Sequence, residues 1–217
     1  MASRKTETNN SRQTRIAEMR RADQSRDRRN KAIAITASAA IVTVLIGFGA
    51  WVMVDQQNKK DADEAKAKAP VQGEQTWDAK TLGRKHVETP VKYEMNPPVG
   101  GDHNPRWMNC NGDVYTNPIP EINAVHSLEH GAVWVTYNDK AAKADVDKLA
   151  AKVAKTPYTL MSPDKEQTGA IMLSAWGKQL TVDTADDARV ATFLTKYVQG
   201  AQTPEPGAAC TNGLADK

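Results

Sequence analysis

The chain has 217 residues, 40% of them hydrophobic and 25% charged, which suffices for one folded domain and extra segments but not for two large domains. Its formal net charge of +3 is unevenly distributed: residues 1–31 carry ten Lys and Arg against four acidic residues, and the remainder carries 19 against 22. Since the positive charge is concentrated in one terminal tail, we do not expect the folded part to bind nucleic acid.

The stretch from Ala32 to Val54 contains no charged residue. A helix of that length rises about 34 Å, which is enough to cross the roughly 30 Å hydrocarbon core of a bilayer. Because a basic flank stays in the cytoplasm, the pattern predicts a single-pass protein of the cell membrane, with residues 1–31 as a basic cytoplasmic tail. No small-residue cleavage site follows the apolar run, so we interpret residues 32–54 as an uncleaved signal anchor that contacts membrane lipid.

Beyond the anchor, residues 55–75 have mixed charge and predict a polar stalk, and residues 76–217 are predicted to form an extracytoplasmic domain. The first half of this domain is expected to be loop-rich. Between positions 90 and 120 it contains six prolines and three glycines, which prevent long regular elements.

The second half of the domain has regular patterns. The predicted elements, in order, are a strand at Ala132–Tyr137, a helix at 138–155, strands at 158–163 and 170–182, and a helix at 184–198. Asn138 or Asp139 is the expected N-cap of the first helix and Thr184 that of the second, and Gly177 is expected to bend the last strand. The order predicts a small α+β sandwich whose helices cover one face of the sheet.

The two cysteines, Cys110 and Cys210, lie on the predicted oxidising side of the membrane. A disulfide between them would close a loop of about a hundred residues and contribute about 4 kcal/mol. Two free thiols, or two soft metal ligands, are the alternatives, because the sequence does not give the distance between the Cα atoms.

The segment His126–Tyr137, "HSLEHGAVWVTY", places two of the chain's four histidines four residues apart. His126 and His130 share a face in either a helix or a strand, whereas Glu129 joins them only in a helix. Gly131 and the apolar run after it indicate that such a helix ends near His130.

Three interpretations of this motif remain open. The first is the H-x-x-E-H pattern of inverted zinc peptidases, which requires a continuous helix and a third ligand on a later helix, whereas here a strand follows at once. The second is a non-catalytic metal site in which His103, from "GGDHNP", supplies a third imidazole and Met95 and Met108 supply thioethers, which would favour copper, especially Cu⁺, over zinc.

In the third interpretation the imidazoles bond backbone carbonyl groups and the methionines fill gaps in the core. The fourth histidine, His86, lies in "GRKHVE", which resembles an exposed turn or edge, so it is not assigned to the site.

Five ordered blocks between about Tyr93 and Cys210 resemble a bacterial family called domain of unknown function 3105. They are "NPPVGGDHNP", "GDVYTNPIPE", "AVHSLEHGAVWVTY", "LSAWGK" and "PEPGAAC". Where the family usually has a small residue, often Ser or Thr, between the prolines and the first histidine, this chain has Val99–Gly100–Gly101. The resemblance implies a membrane-anchored extracytoplasmic protein. It also implies one constellation of His103, His126, Glu129 and His130.

Two classes of function follow from these observations. The domain binds a transition metal, copper or alternatively zinc, through His103, His126 and His130, with Glu129 orienting an imidazole. Alternatively it is a non-catalytic interaction or assembly module beside a larger membrane-protein partner, and its histidines are structural. We do not expect an enzyme, since the peptidase interpretation is the weakest of the three.

Overall fold

The computed structural model describes residues 71–215 continuously, residues 45–61, and the single positions 19, 21, 26, 28, 29, 31 and 65. These residues fall into two compact units that divide between Lys60 and Asp61. Residues 45–61 are helical and are called α1, which belongs to the first unit up to Lys60. Large apolar side chains of α1 are exposed: Leu45, Ile46, Phe48, Trp51, Met53 and Val54.

Within the described residues, no helix has both the length and the apolar character that crossing a bilayer requires. Of the predicted membrane span at 32–54, residues 32–44 lie outside the described residues. Most of the predicted tail and much of the predicted stalk also lie outside them. The membrane anchor therefore stays a prediction.

The second unit is built on a mixed six-stranded sheet. Its strands are β1 (Gln75–Thr76), β2 (Asn111–Val114), β3 (Val133–Tyr137), β4 (Thr159–Pro163), β5 (Ile171–Ala175) and β6 (Lys178–Val182). Across the sheet the order is β1-β6-β5-β3-β4-β2, with the β3–β4 and β4–β2 pairs parallel and the other pairs antiparallel. Its helices are α2 (Glu121–Glu129), α3 (Lys143–Val153) and α4 (Ala188–Tyr197).

The central strand β3 is buried on both faces of the sheet. Because successive side chains of a strand point to opposite faces, Val133 and Val135 enter one apolar core and Trp134 enters another. The first core, called the α3/α4 face, also contains Leu149, Val153, Val190, Phe193 and Leu194. The second, called the α2 face, contains Ala124, Val125 and Leu128 together with residues of the loops.

The predicted α+β class is confirmed, and so is the loop-rich first half, since residues 77–110 contain only isolated β-bridges. The two helices predicted from sequence, α3 and α4, lie on one face of the sheet as expected, but a further helix, α2, packs on the opposite face. The physical reason is that a strand buried on both sides needs cover on both sides.

Three details of the regular elements differ from prediction. Helix α3 begins later than expected, and the Asn138 side chain accepts a hydrogen bond from Lys140 N–H in a turn before it. Helix α4 is capped by Asp187, whose carboxylate accepts from Arg189 N–H at 2.9 Å, and not by Thr184. The predicted bend at Gly177 is a tight turn between two separate strands, where φ is +67°.

The disulfide between Cys110 and Cys210 is confirmed, with the Cα atoms 4.7 Å apart. Cys110 N–H also donates to the Cys210 carbonyl oxygen at 2.9 Å. The bridge therefore attaches the C-terminal segment to the residue that precedes β2, on the α2 face of the sheet.

Candidate metal centre

Helix α2 carries three residues of the histidine motif: His126, Glu129 and the C-cap His130. The helix ends with two backbone hydrogen bonds, in which Gly131 N–H donates to the Leu128 carbonyl and Ala132 N–H donates to the Ser127 carbonyl. This pattern is the Schellman motif, and it requires the positive φ of +91° that Gly131 adopts. The motif is thus helical up to Glu129, and the carboxylate lies on the same side of the helix as His126.

The remaining two histidines come from loops that precede α2 in the chain. His86 and His103 form a parallel β-bridge, in which Val87 N–H donates to the His103 carbonyl at 2.7 Å and His103 N–H donates to the Lys85 carbonyl at 2.9 Å. The His103 side chain is fully buried, whereas that of His86 is 48% exposed. The structure thus brings all four histidines of the chain into one cluster.

The imidazole rings are in close contact. Ring centroids are 5.0 Å apart for His86 and His103, 4.8 Å for His86 and His126, and 4.8 Å for His103 and His126. One donor atom from each of these rings and one Glu129 oxygen all lie within 4.8 Å of one another, and we call these four residues the inner donor group. His130 lies beside this group, with its ring 4.5 Å from that of His126.

Three of the imidazoles are fixed in the same way, with Nδ1 2.7 Å from a backbone carbonyl oxygen. The pairs are His103 with Gly101, His126 with Asn104, and His130 with Ala209. Because a carbonyl oxygen only accepts hydrogen bonds, Nδ1 must carry the hydrogen. In the neutral ring the lone pair then lies on Nε2, which is the arrangement that metal-binding imidazoles use.

Gly101 contributes through its backbone conformation. Its φ of +126° is unfavourable for residues with a side chain, and a Cβ there would lie 3.0 Å from Cε1 of Tyr93. The glycine thus allows the loop to pass beneath Tyr93 while its carbonyl accepts from His103.

Glu129 is a buried carboxylate whose side chain is 2% exposed. Arg84 Nε donates to Oε1 at 2.7 Å, and on the other oxygen, Oε2, His103 Nε2 lies at 2.8 Å and His86 Nε2 at 3.8 Å. Burial raises the pKa of Glu129, but His103, when its ring is protonated, and Arg84 outweigh it and hold the pKa at about 2. The carboxylate is therefore ionised across the physiological range.

Nε2 of His103 is a buried polar atom with no hydrogen-bond partner. Glu129 Oε2 is close enough to accept, but it lies away from the direction in which a ring N–H at Nε2 would point. Two ligands about 2.1 Å from one ion, at angles of about 90° to 110°, are themselves about 3 to 3.4 Å apart. The 2.8 Å between His103 Nε2 and Glu129 Oε2 is therefore close to the spacing of two ligands of the same ion.

The two histidines of α2 are held neutral. Burial lowers the pKa of His126 to about 4, reinforced by the neighbouring imidazoles and opposed by the hydrogen bond to Asn104. Burial also lowers the pKa of His130, opposed by the hydrogen bond to Ala209 and by the charges of Glu205 and Glu129. At neutral pH both Nε2 atoms consequently present lone pairs.

The residues predicted from sequence are partly brought together. His103, His126 and Glu129 belong to the inner donor group, and His130 is adjacent to it. Met108 is buried in the apolar core of the α2 face, and Met95 is half-buried in the preceding loop, so their role as thioether ligands stays a prediction.

Sequence reasoning missed His86 and Arg84. The exposed edge expected for His86 is correct, since its side chain is half exposed, but that edge pairs with the loop that carries His103. No local signal in the sequence identifies either residue, because the contact arises from the pairing of two loops.

A comparison with protein-family models matches residues 85–212, more than half of the chain, to the family described as "Protein of unknown function (DUF3105)". The matched range contains His86 and the other histidines of the cluster, Glu129 and both cysteines. No curated protein and no solved structure matches the chain.

Proposed function

The chain belongs to the DUF3105 family, and we propose that its domain binds one divalent transition-metal ion, Cu²⁺ or Zn²⁺, through His86, His103, His126 and Glu129. One observation carries the proposal. In a buried cluster, Nε2 of His103 lies 2.8 Å from a carboxylate oxygen without forming a hydrogen bond to it. A cation between the two atoms satisfies both, because each then donates a lone pair to the ion.

The donor types indicate which ions fit. Imidazole nitrogen suits zinc, copper, iron and nickel, and a carboxylate adds one negative charge that partly neutralises a divalent ion. The inner donor group contains no sulfur, so it favours Cu²⁺ or Zn²⁺ over Cu⁺. Arg84 holds Oε1 of Glu129, which leaves Oε2 as the single ligand oxygen and fixes its orientation.

The test is a calorimetric titration of the metal-free full-length protein, in detergent, with Zn²⁺ and separately with Cu²⁺. We expect one tight ion per chain. His86→Ala should weaken binding by about ten- to a hundredfold without unfolding the domain, since this side chain is half exposed. Lys85→Ala is the matched control, because its exposed side chain lies next to His86 and its backbone bonds are retained.

His126→Ala removes a buried ligand and should abolish tight binding, with far-ultraviolet circular dichroism reporting whether the fold survives. If the wild type binds neither ion and His126→Ala unfolds the domain, the histidines are structural. The interaction-module alternative then replaces the metal site.

We further propose that the domain is held outside the cytoplasm by the uncharged segment 32–54. Three features support this placement: the net charge of +6 before the segment, the exposed apolar side chains of α1 between positions 45 and 54, and a disulfide, which persists in oxidising compartments. A phosphatase reporter fused after Lys217 should be active. A cytoplasm-specific reporter that is active at the same position would refute the topology.

A further inference from the structure

His130 is the histidine that the inner donor group leaves unused. Its side chain is 5% exposed, its Nδ1 lies 2.7 Å from the Ala209 carbonyl oxygen, and its Nε2 lies 3.9 Å from Glu205 Oε2. That distance exceeds a hydrogen bond. A buried imidazole thus holds Nε2 near a carboxylate with which it forms no hydrogen bond.

Glu205 is positioned by the C-terminal segment. Its backbone N–H donates to the Glu129 carbonyl oxygen at 3.0 Å, which places the residue against the last turn of α2. The Cys110–Cys210 bridge attaches the same segment to β2. In contrast with the buried Glu129, the Glu205 side chain is 45% exposed, so one carboxylate faces the solvent and the other faces the interior.

Arg84 connects the two carboxylates. Its Nε contacts Glu129 at 2.7 Å and its Nη2 lies 3.6 Å from Glu205 Oε1. The contact with Glu205 is the longer and more exposed of the two, so an incoming cation competes with it more easily.

We propose that His130 and Glu205 form an outer metal site, from which the same divalent ion passes to the inner donor group. An ion about 2.1 Å from both Nε2 and Oε2 spans up to about 4.2 Å, so the 3.9 Å gap accommodates it. Water completes its coordination on the exposed side, and the adjacent ring of His126 is the first inner ligand that it reaches. This inference rests on the proposed function, because it requires an inner site to load.

The experiment uses Co²⁺ as an absorbing probe and the metal-free full-length protein in detergent. The wild type should bind two Co²⁺ equivalents, one tight and one weaker. Glu205→Gln should lose the weaker equivalent and slow the loading of the tight site, in stopped-flow mixing, by about tenfold. Its equilibrium affinity at the tight site should stay within about threefold of the wild type. Glu166→Gln is the control, because it removes an exposed carboxylate from the loop after β4.

The outcomes separate the two proposals. If the wild type binds one Co²⁺ and Glu205→Gln loads it at the wild-type rate, the outer site is wrong and the inner site stands. If His86→Ala loses the tight equivalent and keeps the weak one, both sites are supported. If the wild type binds no Co²⁺, both proposals fail. His130→Gln should reproduce the Glu205→Gln result. If His130→Gln does not fold, the Glu205→Gln result alone decides whether the outer site exists.

Discussion

The two faces of the sheet are stabilised in different ways. The α3/α4 face is an apolar core between regular elements, where Phe193 and Val135 are fully buried. The α2 face carries one helix under loops, and these loops are fixed by backbone carbonyls that accept from imidazoles, by a disulfide and by the Arg84–Glu129 pair. Apolar packing is non-directional and tolerates adjustment, whereas hydrogen bonds fix atoms in particular positions. The face that holds the candidate site is therefore the one whose atoms are fixed by directional hydrogen bonds.

The largest effect should come from breaking the apolar face. Phe193→Ala removes a fully buried ring from the α3/α4 core and should lower the free energy of unfolding by about 3 to 5 kcal/mol. The measurement is urea unfolding of metal-free protein. A loss below about 1 kcal/mol would mean that this core contributes far less than its burial implies.

Removing the disulfide tests the other face. In the Cys110→Ala/Cys210→Ala double variant we expect a loss of about 2 to 4 kcal/mol, because the unfolded chain loses the constraint of a loop of 100 residues. Hydrogen exchange should accelerate more in residues 199–214 than in β5 and β6. Uniform acceleration over both regions would contradict the division between the faces.

Acid should weaken the α2 face selectively. The pKa of His126 is about 4 when folded and 6.5 ordinarily, so the unfolded chain takes up the proton first. The stability of metal-free protein should therefore be constant above pH 6.5 and fall, on the order of 2 kcal/mol, as the pH drops to about 4. Below pH 4.5, protonation of Glu129, whose folded pKa is about 2, should add a further loss.

The pH dependence is measured by urea unfolding at a series of pH values, with a chelator present. His126→Gln should reduce the loss below pH 6.5, leaving the part that comes from His130, whose pKa burial also lowers, whereas Glu166→Gln should retain the full loss. A wild-type stability that does not change over this window would contradict a buried neutral His126.

The smallest effect should come from a helix cap on the apolar face. Asp187→Ala removes the acceptor for Arg189 N–H and should cost about 1 kcal/mol in thermal or urea unfolding. Since α4 and α2 lie on opposite faces, Zn²⁺ affinity should be unchanged. A weaker affinity in this variant would show that the two faces are coupled.

The sequence predicted the α3/α4 face better than the α2 face. Strand β3 was predicted because its run of β-branched and aromatic residues is typical of a strand, and helix α4 because its apolar residues repeat at intervals of about 3.6. Helix α2 was left open, since Asn123, His126 and Ser127 are buried polar residues that interrupt its apolar pattern. The same polar residues that form the site thus conceal the helix.

For the candidate site, local spacing predicted the part within α2 and failed for the loops. His126 and Glu129 lie on one helical turn, so their proximity follows from the sequence. His86 and Arg84 reach the cluster only because two loops pair at His103, and no local pattern encodes a contact between such segments. The disulfide was the favoured interpretation because the two cysteines lie in a domain predicted to be outside the cytoplasm, where disulfides persist.

The carbonyl groups that hold the imidazoles have a consequence for variation in this domain. Asn104 and Ala209 accept from His126 and His130 through backbone oxygens, which every amino acid carries. Replacing either side chain leaves the acceptor in place, whereas inserting or deleting one residue displaces the oxygen by about 3.5 Å along the chain. At positions 104 and 209, a change of residue type should consequently disturb the imidazoles less than a change of loop length.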